Sequence, residues 1–414
     1  MEPGPRVPRV PTADAKERLL TARFVTVVAA GLFYFLSLGM LLPTVPKFIE
    51  GPLGGSELAV GVIVGSFSVG AVLVRPFAGR IGDRMGRRVL IIGGAFIVTV
   101  SVSTYLVAQS AGVLLGARIV GGLGEAAFFV GAASMITDLA PVARRGEAIS
   151  YWSVAVYGGL AFGPALGELL LDGDHYDRVW ITSAAFAAIA GVIAIFTRET
   201  ADRSSADRVP APLINRTALP PSIVLFLGTV GLAGFSAFMP LYASDIGLEN
   251  SSKVFLLYGC TILGLRIFGA RIPDRIGPLR AGTLATVAVA IGLVIMAAVQ
   301  NAAGLYLGTL VFSVGMSLMY PSMLTLALTG VPDHERGSAV GTISSAVDLS
   351  QGVGAAMLGV AVSIGGYPGA FATSAVLSGA GLLLLRGGVD RRANQPTDHD
   401  AAAAAREYLE PDPP

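Results

Sequence analysis

Glu125 and Asp348 are carboxylates in stretches of chain that are otherwise apolar, near the middle of 112–138 and of 335–362. An ionised carboxylate in such surroundings costs several kcal/mol unless it is paired or protonated. Each group is therefore suited to take up and release a proton as its surroundings change. Arg118 lies seven residues before Glu125. That spacing is two helical turns along one face, too far for a direct ion pair without a bridging group. Arg118 reads either as a functional charge facing a cavity or as a long side chain reaching for the interface. Glu125, Arg118 and Asp348 are thus the candidates for proton coupling. Arg75 and Arg266 fall near the ends of their apolar stretches and read as anchors, or as partners of the neighbouring Asp83 and Asp274.

Other chemistries lack their residues. Cys260 is the one cysteine, which excludes a disulfide framework and a thiolate metal site. His175, His334 and His399 have no partner at ligand spacing. The chain carries no Gly-x4-Gly-Lys-Ser/Thr phosphate loop, so it does not hydrolyse ATP, and no Ser/His/Asp arrangement stands out. No catalytic residue, metal or cofactor is expected, and the chain does not read as an enzyme.

The elements that must hold these charges follow from bulk composition. The chain has 414 residues, 53% hydrophobic and 14% charged, with 53 glycines. A soluble domain carries about 25% charged residues. Too little polar surface is left for water, but enough for loops between membrane spans. Stretches of about 20 apolar residues, long enough to cross a bilayer as helix, occur at 22–42, 58–78, 89–109, 112–138, 147–171 and 178–198. After a polar interval they recur at 221–243, 253–272, 279–299, 303–329, 335–362 and 367–386. The first lacks a small-residue cleavage site and reads as a retained helix.

Basic residues orient the spans. With both termini in the cytoplasm, 23 of the 29 Lys and Arg residues fall in cytoplasmic tails, loops or the central linker. Only Lys47, Arg178 and Lys253 fall outside, and Arg75, Arg118 and Arg266 lie within spans. The ratio of 26 Arg to 3 Lys in an Ala- and Gly-rich chain suits a GC-rich bacterial genome, hence a multi-pass protein of the cytoplasmic (inner) membrane.

Two landmarks repeat at one offset. Asp83-Arg84-x-Gly86 recurs as Asp274-Arg275-x-Gly277, 191 residues on, and Pro141…Arg145-Gly146-x-Ala148 recurs as Pro332…Arg336-Gly337-x-Ala339 at the same distance. A shared offset argues for duplication of a six-helix unit. The expected organisation is a cytoplasmic tail (1–21), a first six-helix bundle (22–198), a cytoplasmic linker (199–220), a second bundle (221–386) and a C-terminal tail (387–414). The fold class is all-α membrane protein, with twelve transmembrane helices in two pseudo-symmetric bundles.

Three motifs carry a family resemblance. Gly79-x-x-x-Asp83-Arg84-x-Gly86-Arg87-Arg88 resembles the signature of the major facilitator superfamily between its second and third helices. Arg118-x-x-x-Gly122-x-Gly124-Glu125 resembles the fourth-helix motif of its proton-coupled members. Gly159-x-x-x-Gly163-Pro164-x-x-Gly167 resembles the fifth-helix motif of its exporters, in particular the twelve-span drug/proton antiporter branch. Small-residue helix packing would fit the glycine spacing alone, but Gly163-Pro164 followed by Gly167 in the fifth span is the more specific signature and points to export.

The resemblance implies a conformational latch at Gly79, Asp83, Arg84, Gly86 and Arg87, helping to hold an outward-facing state, with Asp274 and Arg275 as its second copy. Pro278-Leu279 replaces the paired basic residues there, which puts a symmetric role in doubt. It makes helices one, four, seven and ten cavity-lining, so Tyr34, Phe235, Phe238 and Tyr320 are the substrate-cavity candidates. Pro43, Pro46 and Pro240 either shape an outer gate or end their helices. The implied activity is secondary active transport by alternating access, as a proton-coupled exporter of a small amphipathic compound or drug. The rival reading is a proton-coupled uptake symporter for a sugar or other small metabolite. Expected partners are a small-molecule substrate, protons and the lipid bilayer, with no nucleic acid and a monomeric state.

Overall fold

A computed structural model describes residues 19–141, 144–200, 214–248, 251–268, 275–332 and 335–389. The expected tails and much of the expected linker fall outside those residues. Six helices come first: α1 (Ala22–Glu50), α2 (Glu57–Met85), α3 (Arg87–Ser103), α4 (Ala111–Leu139), α5 (Arg145–Leu171) and α6 (Tyr176–Ile195). Then come α7 (Leu219–Asp245), α8 (Ser252–Phe268), α9 (Pro278–Ala298) and α10 (Ala302–Leu328). A final helical run, Arg336–Leu384, breaks at Gly365 and at Gly366, whose φ of 65° only glycine adopts cheaply. The break separates α11 (336–364) from α12 (367–384).

Among the described residues ten helical runs are long and apolar enough to cross a membrane. One of them is the kinked run of 50 residues, which supplies two crossings. α8, with 17 described residues, supplies the twelfth. Large apolar side chains on the outer faces, such as Phe96, Phe196, Ile364 and Leu383, are exposed in the isolated chain. In a bilayer they meet lipid tails, and the helices keep their backbone polar groups satisfied internally.

Local signals set the helix ends. Thr21, Ser56, Ser110 and Asn301 cap α1, α2, α4 and α10 through their side-chain oxygens. α1 runs beyond the expected residue 42, because Pro43 and Pro46 lie inside it rather than ending it. Pro240 likewise lies inside α7. Membrane helices tolerate such prolines where neighbouring groups serve the freed carbonyls.

Glycines let the backbones touch. Gly159, Gly163 and Gly167 of α5 face the backbone of α1, and a Cβ on Gly163 would stand 2.6 Å from Gly39 Cα. The motif's glycines thus form a close α1–α5 packing face. α1–α6 pack around Tyr34, Phe128 and Trp180, and α7–α12 around Phe235, Phe312 and Phe371. Between the halves run two seams. α2 meets α11, with Gly61 against Ala355 and Gly65 against Gly352, and α5 meets α8, with Ala161 against Gly259.

Candidate functional site

The α2–α11 seam leads to a buried ion-pair network. Arg75, on α2, reaches Asp348 of α11 with its Nε 2.7 Å from Oδ2, and Glu125 of α4 with Nη2 3.3 Å from Oε2. The Glu125 contact is a hydrogen bond, whereas the Asp348 contact lies off the N–H direction and acts as an ion pair. The guanidinium also sits over the Phe129 ring, 5.4 Å from its centroid. The three side chains are 12–17% exposed, so solvent screens their charges weakly. One cation thus joins an acid of its own half to an acid of the other half.

Two tyrosines border this network. Tyr34 of α1 is fully buried and stacks on Phe128 with ring centroids 3.7 Å apart. Its hydroxyl has no hydrogen-bond partner, and the Glu125 carboxylate lies within electrostatic range. Tyr320 of α10 shares a 3.1 Å hydrogen bond with Ser344 of α11 and lies within electrostatic range of Arg75.

Arg75 is thus not the anchor that its expected place near a span end implied. α2 continues as far as Met85, which leaves Arg75 well inside the helix. The available signal was the repeat: Arg75 and Arg266 stand 191 residues apart. Arg266 of α8 is likewise no anchor. It crosses to α5, donating to the Tyr157 hydroxyl at 2.9 Å and lying 4.5 Å from the centre of that ring.

Arg118 lies apart from Glu125. It donates to the α2 carbonyls of Val64 at 2.9 Å and Ile63 at 3.4 Å, and stacks over Phe67. It forms one wall of a cavity of about 150 Å³ whose other walls are Leu38, Leu41, Val64, Leu160 and Ser236. Phe235 is packed among Phe255, Tyr258 and Phe312, and Phe238 is fully buried in the core shared by α1 and α7. Neither faces the network.

The two ends of the helices differ in how they are tied. At the end bearing the α1–α2 and α11–α12 turns, polar contacts cross between the halves. Glu168 of α5 accepts from Lys47 at 2.9 Å and from the Ser251 hydroxyl, just before α8, at 2.6 Å. Tyr367 of α12 donates to Glu50 of α1 at 3.3 Å. Glu168, which its place near a span end marks only as interfacial, therefore ties three helices.

At the opposite end the polar contacts seen among the described residues lie within each half and its adjoining segment. Arg87 pairs with Asp138, which also accepts from Thr200 at 2.8 Å. Glu199 caps α3 by accepting from the backbone N–H groups of Arg87 (2.9 Å) and Arg88 (3.1 Å). Gly86 has φ 105°, which strains any side chain, and a Cβ there would push the Glu199 carboxylate off the α3 N-terminus. Asp138, for which end capping is the simple sequence reading, is the acid that Arg87 meets. Arg84 and Arg275 are exposed. Gly79 lies within α2, while the Asp83 side chain and Asp274 lie outside the described residues. On the second half, Asn215 donates to Glu335 and to Thr342, both at 2.9 Å.

Twelve crossings in two halves, joined by seams and sharing ionisable groups between them, define a membrane carrier. The profile of the Major Facilitator Superfamily matches residues 27–355. An uncharacterised MFS-type transporter of Salmonella typhimurium, STM4428, is 30% identical over 376 residues, 87% of this chain and 96% of that one. The uncharacterised MFS-type transporter YhhS of Escherichia coli is 25% identical over 93% of this chain and 96% of its own length. Among solved structures, the human organic anion transporter MFSD10 superposes with a TM-score of 0.70 at 20% identity, covering 90% of this chain and all of that one. The nucleoside transporter NupG superposes at 0.73 with 13% identity, over 91% of this chain and all of its own. The chain belongs to the Major Facilitator Superfamily and is a multi-pass secondary transporter.

Proposed function

We propose that the protein is a proton-coupled exporter of a small amphipathic compound, and that Arg75, Glu125 and Asp348 couple the proton to the movement of the two bundles, 22–198 and 221–386. The observation that carries this reading is Arg75 held 2.7 Å from Asp348 across the seam and 3.3 Å from Glu125 within its own half. When the α2–α11 seam is closed, the guanidinium stands against Asp348 and displaces a proton from it. When the seam opens, Glu125 retains Arg75, Asp348 loses its counter-charge, and a proton binds in its place. Proton affinity thereby alternates with the side to which the site is open, which is what exchange transport requires.

Orientation and direction rest on sequence. The basic residues put both termini, and the Arg87–Asp138 end, in the cytoplasm of a bacterial inner membrane. The tied end then faces outward, and the Arg87, Asp138 and Glu199 contacts are part of the latch that rearranges when the bundles rock. Export is supported by the Gly159–Gly167 motif, and a monomer suffices for the cycle.

Everted membrane vesicles with an imposed acid interior test the reading. An antiporter dissipates the gradient when a transported compound from a panel is added, whereas an uptake symporter does not. Asp348→Asn and Glu125→Gln are expected to abolish that dissipation while retaining substrate counterflow in proteoliposomes without a gradient. Gradient dissipation at wild-type rate in both variants would sink the coupling assignment.

A further inference from the structure

The 191-residue repeat reaches into the membrane interior. Arg75 plus that offset is Arg266, and Tyr157 plus that offset is Asp348. Arg75 pairs with Asp348 across α2–α11, and Arg266 pairs with Tyr157 across α5–α8. The two contacts are therefore one crossing used twice, with donor and acceptor exchanged between the halves. In one copy the arginine meets a carboxylate. In the other it meets a phenol.

That replacement gives Arg266 a neutral partner where Arg75 has a charged one. Among the described residues Arg266 has no carboxylate partner, and its Nε is buried without an acceptor. Its neighbours are the Tyr157 ring and hydroxyl and the Tyr258 phenol, which lies within electrostatic range of both. A second absence compounds this, because the first copy's acid Glu125 corresponds to Met316. Among the described residues Arg75 alone of the three in-span arginines meets Glu125 and Asp348, whereas Arg118 and Arg266 meet carbonyls, rings and a phenol. Arg266 stands half-buried in the last turn of the described α8, where a guanidinium draws an anion to itself, and its planar fork suits a carboxylate.

We propose that the transported compound supplies this anion: the cargo is a small amphipathic carboxylate whose carboxyl group docks on Arg266, between the Tyr157 and Tyr258 rings, at the place that Asp348 fills for Arg75. The proposal rests on the transport reading above but not on its proton coupling. Tyr157 donates its hydroxyl to the same carboxylate and covers one face of the guanidinium. Bound anion therefore joins α5 to α8 as Asp348 joins α2 to α11.

The test uses the purified full-length chain in detergent micelles, with binding followed by calorimetry. The probes are benzoate and 1-naphthoate, each against its amide and the corresponding amine. The two carboxylates are expected to bind saturably and the amides and amines at least roughly tenfold more weakly, since a charge-assisted bond is lost. Arg266→Gln should weaken carboxylate binding by roughly tenfold or more, and Arg266→Lys should restore part of it. Tyr157→Asp supplies an internal counter-ion, so it should fold and yet exclude the carboxylate. Equal binding of amide and carboxylate, no binding of either carboxylate, or wild-type carboxylate binding by Tyr157→Asp would each overturn the proposal. Proton-coupled exchange of a neutral or cationic compound in the vesicle assay would leave the exporter reading standing and refute this one alone.

Discussion

Replacing Asp348 by Asn isolates the cross-bundle half of the Arg75 network. The substitution keeps side-chain size, removes the charge and leaves the 3.3 Å Arg75–Glu125 bond in place. Unit charges with centres about 4 Å apart at an effective dielectric of about 20 attract by roughly 4 kcal/mol. Glu125 still holds the guanidinium and the asparagine carbonyl still turns a dipole toward it, so about half of that is lost, ~2 kcal/mol, or roughly a 30-fold shift in the balance between closed and open seams.

The assay is a distance distribution by pulsed electron resonance in a Cys260→Ser background. Spin labels go on the exposed residues Pro52, in the α1–α2 turn, and Ser363, beside the α11–α12 kink. A population at longer distance should grow in Asp348→Asn. Glu125→Gln, which leaves the crossing intact, should move it much less. Equal shifts in the two variants, or none in Asp348→Asn, would refute the division of labour between the two acids.

Other perturbations probe the supports. Gly163→Leu places side-chain atoms into α1, where a Cβ alone would be 2.6 Å from Gly39, and should cost at least about 1–3 kcal/mol. Gly158→Leu, whose Cβ would meet nothing nearer than 3.7 Å, should be tolerated, and size-exclusion profiles in detergent separate the two. Glu199→Ala removes the acceptor of two backbone N–H groups at the start of α3 and should lower the melting point through a loss of about 1 kcal/mol. Glu168→Ala should increase labelling of a cysteine placed at Ser251, since the tie to Lys47 and Ser251 is lost. A Lys47→Ala, Glu168→Ala double variant should behave like Glu168→Ala alone if the pair acts as a unit.

Twelve crossings were legible because lipid demands long apolar helices, and the repeat resolves the joins that hydropathy blurs. The α11–α12 connection needs only Gly365 and Gly366, and the sequence places it correctly between 362 and 367. Glu125 and Asp348 were legible as unusual acids, but their meeting at Arg75 was not. Sequence spacing relates residues along one helix, whereas this contact joins three helices drawn from both halves. Arg75 looked peripheral because apolar character fades after residue 78 while the helix continues for another turn and more. Arg118 shows the converse, since proximity to Glu125 in sequence did not bring the two together. The aromatic candidates divide on burial: Phe235 and Phe238 pack, while Tyr34 and Tyr320 border the charges.

The exchanged crossings bear on how many protons one cycle can move. Two identical six-helix chains associating as a dimer would have to make both crossings alike, and any ionisable partner would be present twice. Joining the halves in one polypeptide removes that constraint. Here position 348 is an acid and its counterpart at 157 is a phenol, so only one of the two crossings carries a carboxylate. On the proposed proton-coupled reading, the fused form can therefore place one coupling carboxylate where a symmetric pair would carry two.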